Sequence, residues 1–460
     1  MYSSSVEKLL KDAGVQIGDP LRVEREGQVF EGLLMPRPDI GDADCLVLKL
    51  KSGYNIGVEG KGVKIGKLSS SRDEFLGSLP REGKAKKADE EGAKPNNAPL
   101  MLISTGGTIA SKVDYVTGAV YPQLGADELM ASIPRLNRVG PLKTRTLLSI
   151  LSEDMRPEHW TQIAKGVAEA FADGAPGVVL PHGTDTMGYT AAALSFALHD
   201  LPGPVVLTGS QRSPDRGSSD APANLFASAA AARADWAGVA ICMHADSSDG
   251  TNLLHWGTRV IKSHTSMRGA FRSIGLPPIG RVDCDTGHVE IADAEVPKRD
   301  SKRRLTLKDK FSSNVHFAWI YPGITPKTVE KWADYDGVLI SGTGLGNAPV
   351  WASEPGNPHS ILPALRQLHQ SGVVVAMASQ TVGGRVNMDV YAGGRLLRSA
   401  GVLGQRADWL AETAYVKLCW ALGQEKDPKK AAGLLETPLC RDILPRSRVE
   451  DALPWLLSES

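Results

Sequence analysis

From residue 98 onward the chain repeats one unit: a short apolar run, a loop, and a stretch of helical periodicity. The runs fall at residues 99–103, 178–180, 205–207 and 239–242, and the helical stretches at 157–172, 188–199 and 222–233. Runs this short and this continuously apolar suit strands buried on both faces. Their regular alternation with helices predicts a parallel sheet covered by helices, an α/β fold. The helix over 157–172 is expected to take Asp154 as its cap, with Pro157 in the first turn and Glu158 placed to favour the helix dipole. A polar connector rich in Lys and Arg spans 298–313. Beyond it a second unit is expected, with strands at 315–320, 337–340 and 373–376 and helices near 358–370 and 408–422.

The first 70 residues follow a different pattern. After an amphipathic start (Val6, Leu9, Leu10), β-prone stretches at 21–25, 28–32, 45–50 and 54–58 alternate with turns, as in a small all-β barrel. No catalytic grouping falls inside this module, so it reads as a structural or docking domain. Residues 70–97 lack apolar periodicity. Their lysines (Lys84, Lys86, Lys87) interleave with Glu82, Asp89, Glu90 and Glu91, as in a solvated linker. With 460 residues, the chain exceeds the roughly 250–300 at which one core stops growing. The expected division is a barrel domain at 1–75, a linker at 76–97, a catalytic domain at 98–300, a connector at 301–315, a second domain at 316–425 and an extension at 426–460.

Composition narrows the function. Basic and acidic residues balance at 52 each, which argues against a wholesale nucleic-acid-binding face. Cys45, Cys242, Cys284, Cys419 and Cys440 are scattered without a CxxC pair, suggesting neither a zinc site nor a disulfide framework. No apolar signal core opens the chain and no run reaches the ~18–20 apolar residues of a membrane span, so a cytoplasmic location is expected.

Two loops carry the candidate chemistry. Thr-Gly-Gly-Thr at 105–108 and His-Gly-Thr-Asp-Thr at 182–186 each follow an apolar run. In an open α/β sheet such loops lie at the carboxyl ends of strands, where ligands bind. The glycines let the backbone turn sharply and approach a ligand closely, while Thr108 projects into the cleft. A threonine hydroxyl is a weak nucleophile unless a neighbour takes its proton. Lys262 is the candidate base: a lysine held near a carboxylate and a hydroxyl could take that proton, with Asp185 orienting it. The segment Gly-Thr-Gly-Leu-Gly-Asn at 342–347 has the wrong order for a dinucleotide-binding GxGxxG.

These motifs, with Ser-Glu-Asp-Met at 152–155 and Leu-Thr-Gly-Ser-Gln-Arg at 207–212, resemble the type I/II L-asparaginase family over residues 98–425. The resemblance implies an asparaginase-like two-domain parallel-sheet fold preceded by the small all-β barrel domain. It implies that Thr108 is the flexible-loop nucleophile, and that Thr184, Asp185 and Lys262 form the family's Thr-Asp-Lys triad. Ser152 would bind the substrate α-carboxylate. Glu153, replacing a common glutamine, would accept from the substrate ammonium. A loop tyrosine would assist, Tyr115 or Tyr121, with spacing favouring Tyr121. Asn347 would reach the substrate of a neighbouring protomer. The loop at 379–384 departs from the family in lacking its acidic substrate contact.

With its added N-terminal module and C-terminal extension, and through the segments at 182–196, 209–221 and 259–273, the whole chain resembles the D-subunit family of archaeal glutamyl-tRNA(Gln) amidotransferases. That resemblance implies a glutaminase half-reaction whose ammonia passes to the E-subunit of the amidotransferase. This partner would use ATP and Mg²⁺ to activate the glutamyl group, leaving the present chain with no cofactor and no metal of its own. It also implies a homodimer within a heterotetramer, with tRNA(Gln) held mainly by the partner and no membrane contact. Two alternatives remain. A free-standing cytosolic L-asparaginase or glutaminase would hydrolyse amides vigorously alone. A non-catalytic amino-acid-binding regulatory protein would bind glutamine without turnover, and would not need Thr108, Thr184, Asp185 and Lys262 together.

Overall fold

The computed structural model describes residues 2–36, 42–50, 55–70, 98–113, 120–122, 127–128, 133–214, 219–350 and 358–447. The helix Ser4–Asp12 opens the chain, and the Ser3 hydroxyl caps it by accepting from the Val6 N–H. Five strands follow: β1 (Pro20–Arg25), β2 (Gln28–Leu34), β3 (Cys45–Lys49), β4 (Asn55–Glu59) and β5 (Lys64–Lys67). They pair antiparallel in the order β4-β3-β2-β1-β5. Leu21, Val23, Leu34, Leu46, Leu48, Val58 and Ile65, one or two from each strand, meet Val6 and Leu10 of the helix in one cluster. Every strand thus lines the same core, as strands of a small barrel do.

The next unit contains β6 (Leu100–Gly106), the hairpin β7 (Ser111–Val113) and β8 (Val120–Pro122), β9 (Leu142–Ile150), β10 (Val178–Pro181), β11 (Leu198–His199), β12 (Pro204–Thr208) and β13 (Gly238–His244). It continues through β14 (Thr251–Trp256), β15 (Val260–Lys262), β16 (Phe271–Ser273), β17 (Gly280–Asp283), β18 (Val289–Ile291) and β19 (Thr306–Leu307). The main sheet has the order β18-β17-β14-β13-β12-β10-β6-β9. From β13 to β9 the neighbours are parallel, as the sequence predicts. On the other side β14, β17 and β18 add antiparallel, an extension the strand–helix alternation does not announce.

Period-2 alternation divides the buried strand residues between two cores. Leu100, Leu102, Val179, Val206, Ala240 and Cys242 face the helix Ala221–Arg233. Met101, Ile103, Val178, Leu180, Val205 and Ile241 face the helices Pro157–Ala172 and Met187–Ala197. Each such fully buried Val, Leu or Ile contributes roughly 1.5–3 kcal/mol. The helix Pro157–Ala172 has the bounds the sequence predicts, but Asp154 is not its cap. Pro157 is the first helical residue, so the cap position is Arg156, whose N–H donates to His159 Nδ1 at 3.1 Å. Asp154 sits instead in a separate 3₁₀ turn, Ser152–Asp154. The helix expected at 188–199 ends at Ala197, because Leu198 and His199 pair as a strand with β19.

Strand order positions the site. From β6 the chain moves to β9 on one side; from β10 it moves to β12 on the other. The loops after β6 and β10 therefore diverge, opening a crevice at the switch point between them. The β6–β9 ladder also slips, since Ser104 faces Thr146 but Gly106 faces Ile150.

The last unit carries three parallel strands, β20 (Val315–Trp319), β21 (Gly337–Gly342) and β22 (Val374–Ser379). The helix Leu362–Gln370 covers one face. On the other, the helix Ala411–Gln424 packs against the helix Met187–Ala197, so that Leu418 and Trp420 share a core with Ala192 and Phe196. The helix Pro428–Glu436 and residues 437–447 follow. No helix among the described residues is long and apolar enough to cross a membrane.

Candidate active site

Three consecutive parallel strands deliver the site. β6 ends in the left-handed glycines Gly106 (φ +101°) and Gly107 (φ +77°), and Thr108, half-buried, begins the 3₁₀ turn Thr108–Ala110. A Cβ on Gly107 would overlap the Cα and N of Gly183 in the second loop. Only glycine suits both the conformation and this approach. β9 ends at the turn holding Ser152, which is buried; a Cβ on Gly183 would lie 2.6 Å from Ser152 Cβ and 2.7 Å from its Oγ. β10 ends at His182-Gly183-Thr184. Thr108, Ser152 and Thr184 thus belong to three loops in mutual backbone contact.

Lys262 arrives from a distant part of the chain. β15 pairs with β16, Lys262 opposite Phe271, and its Val260 carbonyl lies 3.4 Å from where a Cβ on Gly188 would sit. This places the lysine beside the start of the helix Met187–Ala197. Lys262 Nζ donates to Thr184 Oγ1 at 2.8 Å and to Asp185 Oδ1 at 2.6 Å. Thr184 and the Lys262 stem are largely buried, whereas the Asp185 side chain is 66% exposed. With its oxygen accepting from Lys262, the Thr184 hydroxyl keeps its own hydrogen for another acceptor.

Several residues that the sequence reading does not single out hold these loops. His182 is buried, and burial pulls its pKa down to about 4, so the ring is neutral. Its Nδ1 lies 2.7 Å from the Gly183 carbonyl and must carry the proton; Nε2 then accepts from Thr190 Oγ1 at 2.9 Å. Thr105 Oγ1 donates to the Pro181 carbonyl at 3.0 Å, tying β6 to β10. Thr186 Oγ1 donates to the Ser152 carbonyl at 2.7 Å. In the neighbouring loop, the Asp220 carboxylate accepts from the backbone N–H groups of Gln211 and Arg212, and Asn224 Nδ2 donates to the Gly209 carbonyl. A Cβ on Gly209 would meet Thr184 Cγ2 at 2.8 Å, so this loop backs directly onto the threonine. His182 and Thr105 stand inside the motifs; what hides their role is that each ties to a backbone carbonyl, of Gly183 and of Pro181.

The other expected site residues are placed less closely. Glu153 is exposed beside Ser152. Tyr115 lies outside the described residues. Of Tyr121 only the backbone is described: it sits on β8 opposite Lys112, and β8 packs against the turn beginning at Thr108. Asn347 closes the turn after β21, its N–H donating to the Thr343 carbonyl at 2.8 Å, and lines a cavity of about 420 Å³ with Tyr321, Thr343 and His359.

Comparison with known proteins places this geometry. The family described as asparaginase, N-terminal, matches residues 99–296; the glutaminase/asparaginase C-terminal domain matches 314–435; and the GatD N-terminal domain matches 15–68. The glutamyl-tRNA(Gln) amidotransferase D-subunit of Pyrococcus horikoshii is 41% identical over 457 residues, 97% of this chain and 99% of that one. The chain belongs to the glutamyl-tRNA(Gln) amidotransferase D-subunit family. The D-subunit of Methanothermobacter thermautotrophicus is 42% identical, covering 97% of this chain and 98% of its own. Among solved structures, the thermostable L-asparaginase from Thermococcus kodakarensis superposes with a TM-score of 0.65 at 30% identity, covering 76% of this chain and 100% of that one. L-asparaginase I from Vibrio cholerae gives 0.62 at 28%, covering 75% and 99%. The asparaginase-like body of this D-subunit family member thus accounts for about three quarters of the chain, and the N-terminal β-module lies outside that body.

Proposed function

We propose that this chain is the glutaminase component of a tRNA-dependent amidotransferase, and that Thr108 is its nucleophile. The observation that carries this reading is the Lys262 side-chain nitrogen within hydrogen-bond reach of both Thr184 and Asp185, on the loop that touches the Thr108 loop. Thr108 Oγ adds to the side-chain amide carbon of glutamine. Its proton passes to the Thr184–Lys262 pair, with Asp185 holding the lysine, and from there to the departing nitrogen, which leaves as ammonia. Water then cleaves the ester, releasing glutamate and restoring Thr108. Ser152 holds the α-carboxylate, Glu153 accepts from the α-ammonium, Tyr121 assists from the hairpin, and Asn347 contributes across a homodimer.

The ammonia is consumed by the E-subunit, which supplies ATP and Mg²⁺ chemistry to convert Glu-tRNA(Gln) to Gln-tRNA(Gln). The working assembly is a cytoplasmic heterotetramer, with tRNA held mainly by the partner because this chain has no net charge. The N-terminal module, absent from an asparaginase-like body, favours this reading over a free-standing amidohydrolase. The test is glutamine hydrolysis by the purified chain, alone and with the E-subunit plus Glu-tRNA(Gln). Hydrolysis should rise with the partner and its charged tRNA. A rate indifferent to both would return the chain to the free-standing class, and glutamine binding without turnover would make it a regulatory protein.

A further inference from the structure

Residues 439–447 run along the seam between the two α/β units and grip the turn from which Lys262 departs. The Thr258 hydroxyl donates to the Cys440 carbonyl at 2.7 Å, and Arg259 Nε donates to the Arg441 carbonyl at 2.6 Å. Cys440 (φ +49°) and Arg441 (φ +61°) are consecutive non-glycine residues in the left-handed region, a conformation that persists only where its surroundings enforce it. The carbonyls of these two residues are the ones offered to Thr258 and Arg259.

The rest of Arg259 is equally committed. Its buried guanidinium donates to the Asp408 carbonyl at 2.7 Å and to Asp408 Oδ1 at 3.1 Å. Asp408 Oδ1 also accepts from the Leu444 N–H at 2.8 Å, and Arg385 donates to the Leu444 carbonyl at 3.0 Å. The segment is pinned on both sides. Arg441 pairs with Asp293 at 2.8 Å and Glu295 at 2.9 Å in the first unit, and Asp442 pairs with the buried Lys417 at 2.5 Å in the second. Cys440 Sγ also donates to the Ser195 carbonyl at 2.9 Å, on the helix Met187–Ala197 that follows the Thr184–Asp185 loop. Thr258 and Arg259 lead directly into Val260–Lys262.

We infer that residues 439–447 act as a strap that fixes the Lys262 strand against the Thr184–Asp185 loop, with Arg259 and Thr258 as its positioning residues. The inference rests on the reading of Lys262 as part of the catalytic set. A displaced Lys262 would still be present but poorly aimed. Alignment errors of about an ångström lower turnover by as much as about 100-fold while leaving substrate binding largely intact. The arginine matters as a planar fork with several donors, which lysine cannot reproduce.

The experiment uses the full chain with its partner and compares Arg259→Lys, Thr258→Val and Lys262→Met, each checked for a cooperative thermal transition. Arg259→Lys should lower kcat for glutamine hydrolysis about 10-fold and Thr258→Val about threefold, with KM within about twofold of wild type. The pH–kcat profile of both should move by about half a unit, which loss of stability alone would not produce. Should Arg259→Lys fail to fold, Thr258→Val decides. Wild-type kcat and pH profile in the folded variants, with Lys262→Met inactive, overturns the strap alone. Full activity in Lys262→Met overturns the catalytic reading beneath it.

Discussion

Thr184 and Thr108 end neighbouring parallel strands, but the first is fixed through side chains and the second through its backbone. Thr184 receives a hydrogen bond from Lys262, has Gly209 beneath its methyl group, and has the neutral His182 behind it. Thr108 is aimed by two left-handed glycines, one of them pressed against Gly183. The difference teaches where each loop is fragile. Chemistry should fail at the Thr184 loop when a polar partner is lost, and at the Thr108 loop when a single carbon is added.

The largest expected effect is at the nucleophile. Thr108→Val preserves shape but not the hydroxyl, so glutamine hydrolysis should fall by roughly three orders of magnitude while partner binding is unchanged. Near-normal rates in both Thr108→Val and Thr184→Val would dispose of the mechanism. Next, Thr184→Val, Asp185→Asn and Lys262→Ala should each lose on the order of 100-fold in kcat. Because Lys262 and Thr184 share a hydrogen bond, the double variant should be scarcely worse than either single one; strictly multiplicative losses would separate the two residues.

Gly107→Ala tests the backbone side of the comparison. It should lower kcat about 10- to 100-fold and stability by roughly 1–3 kcal/mol, read by glutamine assay and urea titration. Gly14→Ala, also at positive φ (+64°) but with open space around it, is the control and should leave hydrolysis unchanged. The effect that leaves hydrolysis at neutral pH untouched is on acid stability. His182 has a folded pKa of about 4 against an ordinary 6.5, so the unfolded chain takes up a proton that the native loop refuses. Its contribution is complete above pH 6.5 and is lost as pH falls toward 4, roughly 3 kcal/mol in all. Urea midpoints that stay level between pH 7 and pH 4.5 would show that the ring is not held neutral.

Much of this is legible in the sequence, for identifiable reasons. β6, β10, β12 and β13 are continuous apolar runs because both faces of a central parallel strand are covered, and the structure extends each by only a few residues. β9 escapes notice because it is an edge strand whose residues are half-buried and mixed in character. β14, β17 and β18 escape because strand–helix alternation says nothing of antiparallel additions. The threonine loops announce themselves through glycine and hydroxyl spacing. Contacts such as Lys262 to Thr184, 78 residues apart, and Arg259 to Asp408, 149 apart, depend on strand order and domain packing, which no local pattern encodes.

The slip in the β6–β9 ladder places residues 147–149 opposite Thr105 alone. β9 therefore carries surplus length just where β6 turns into the Thr108 loop, and that surplus sets the height at which Ile150 receives Gly107 through its carbonyl. Side chains on a strand alternate faces, so shortening β9 by one residue there would rotate everything that follows it, Ser152 included, by one face. The aim of the site is thus written partly in the length of an edge strand that contributes no functional group. Insertions and deletions at 147–149 would be as damaging as losing a catalytic side chain, though no comparison of motifs would register the injury.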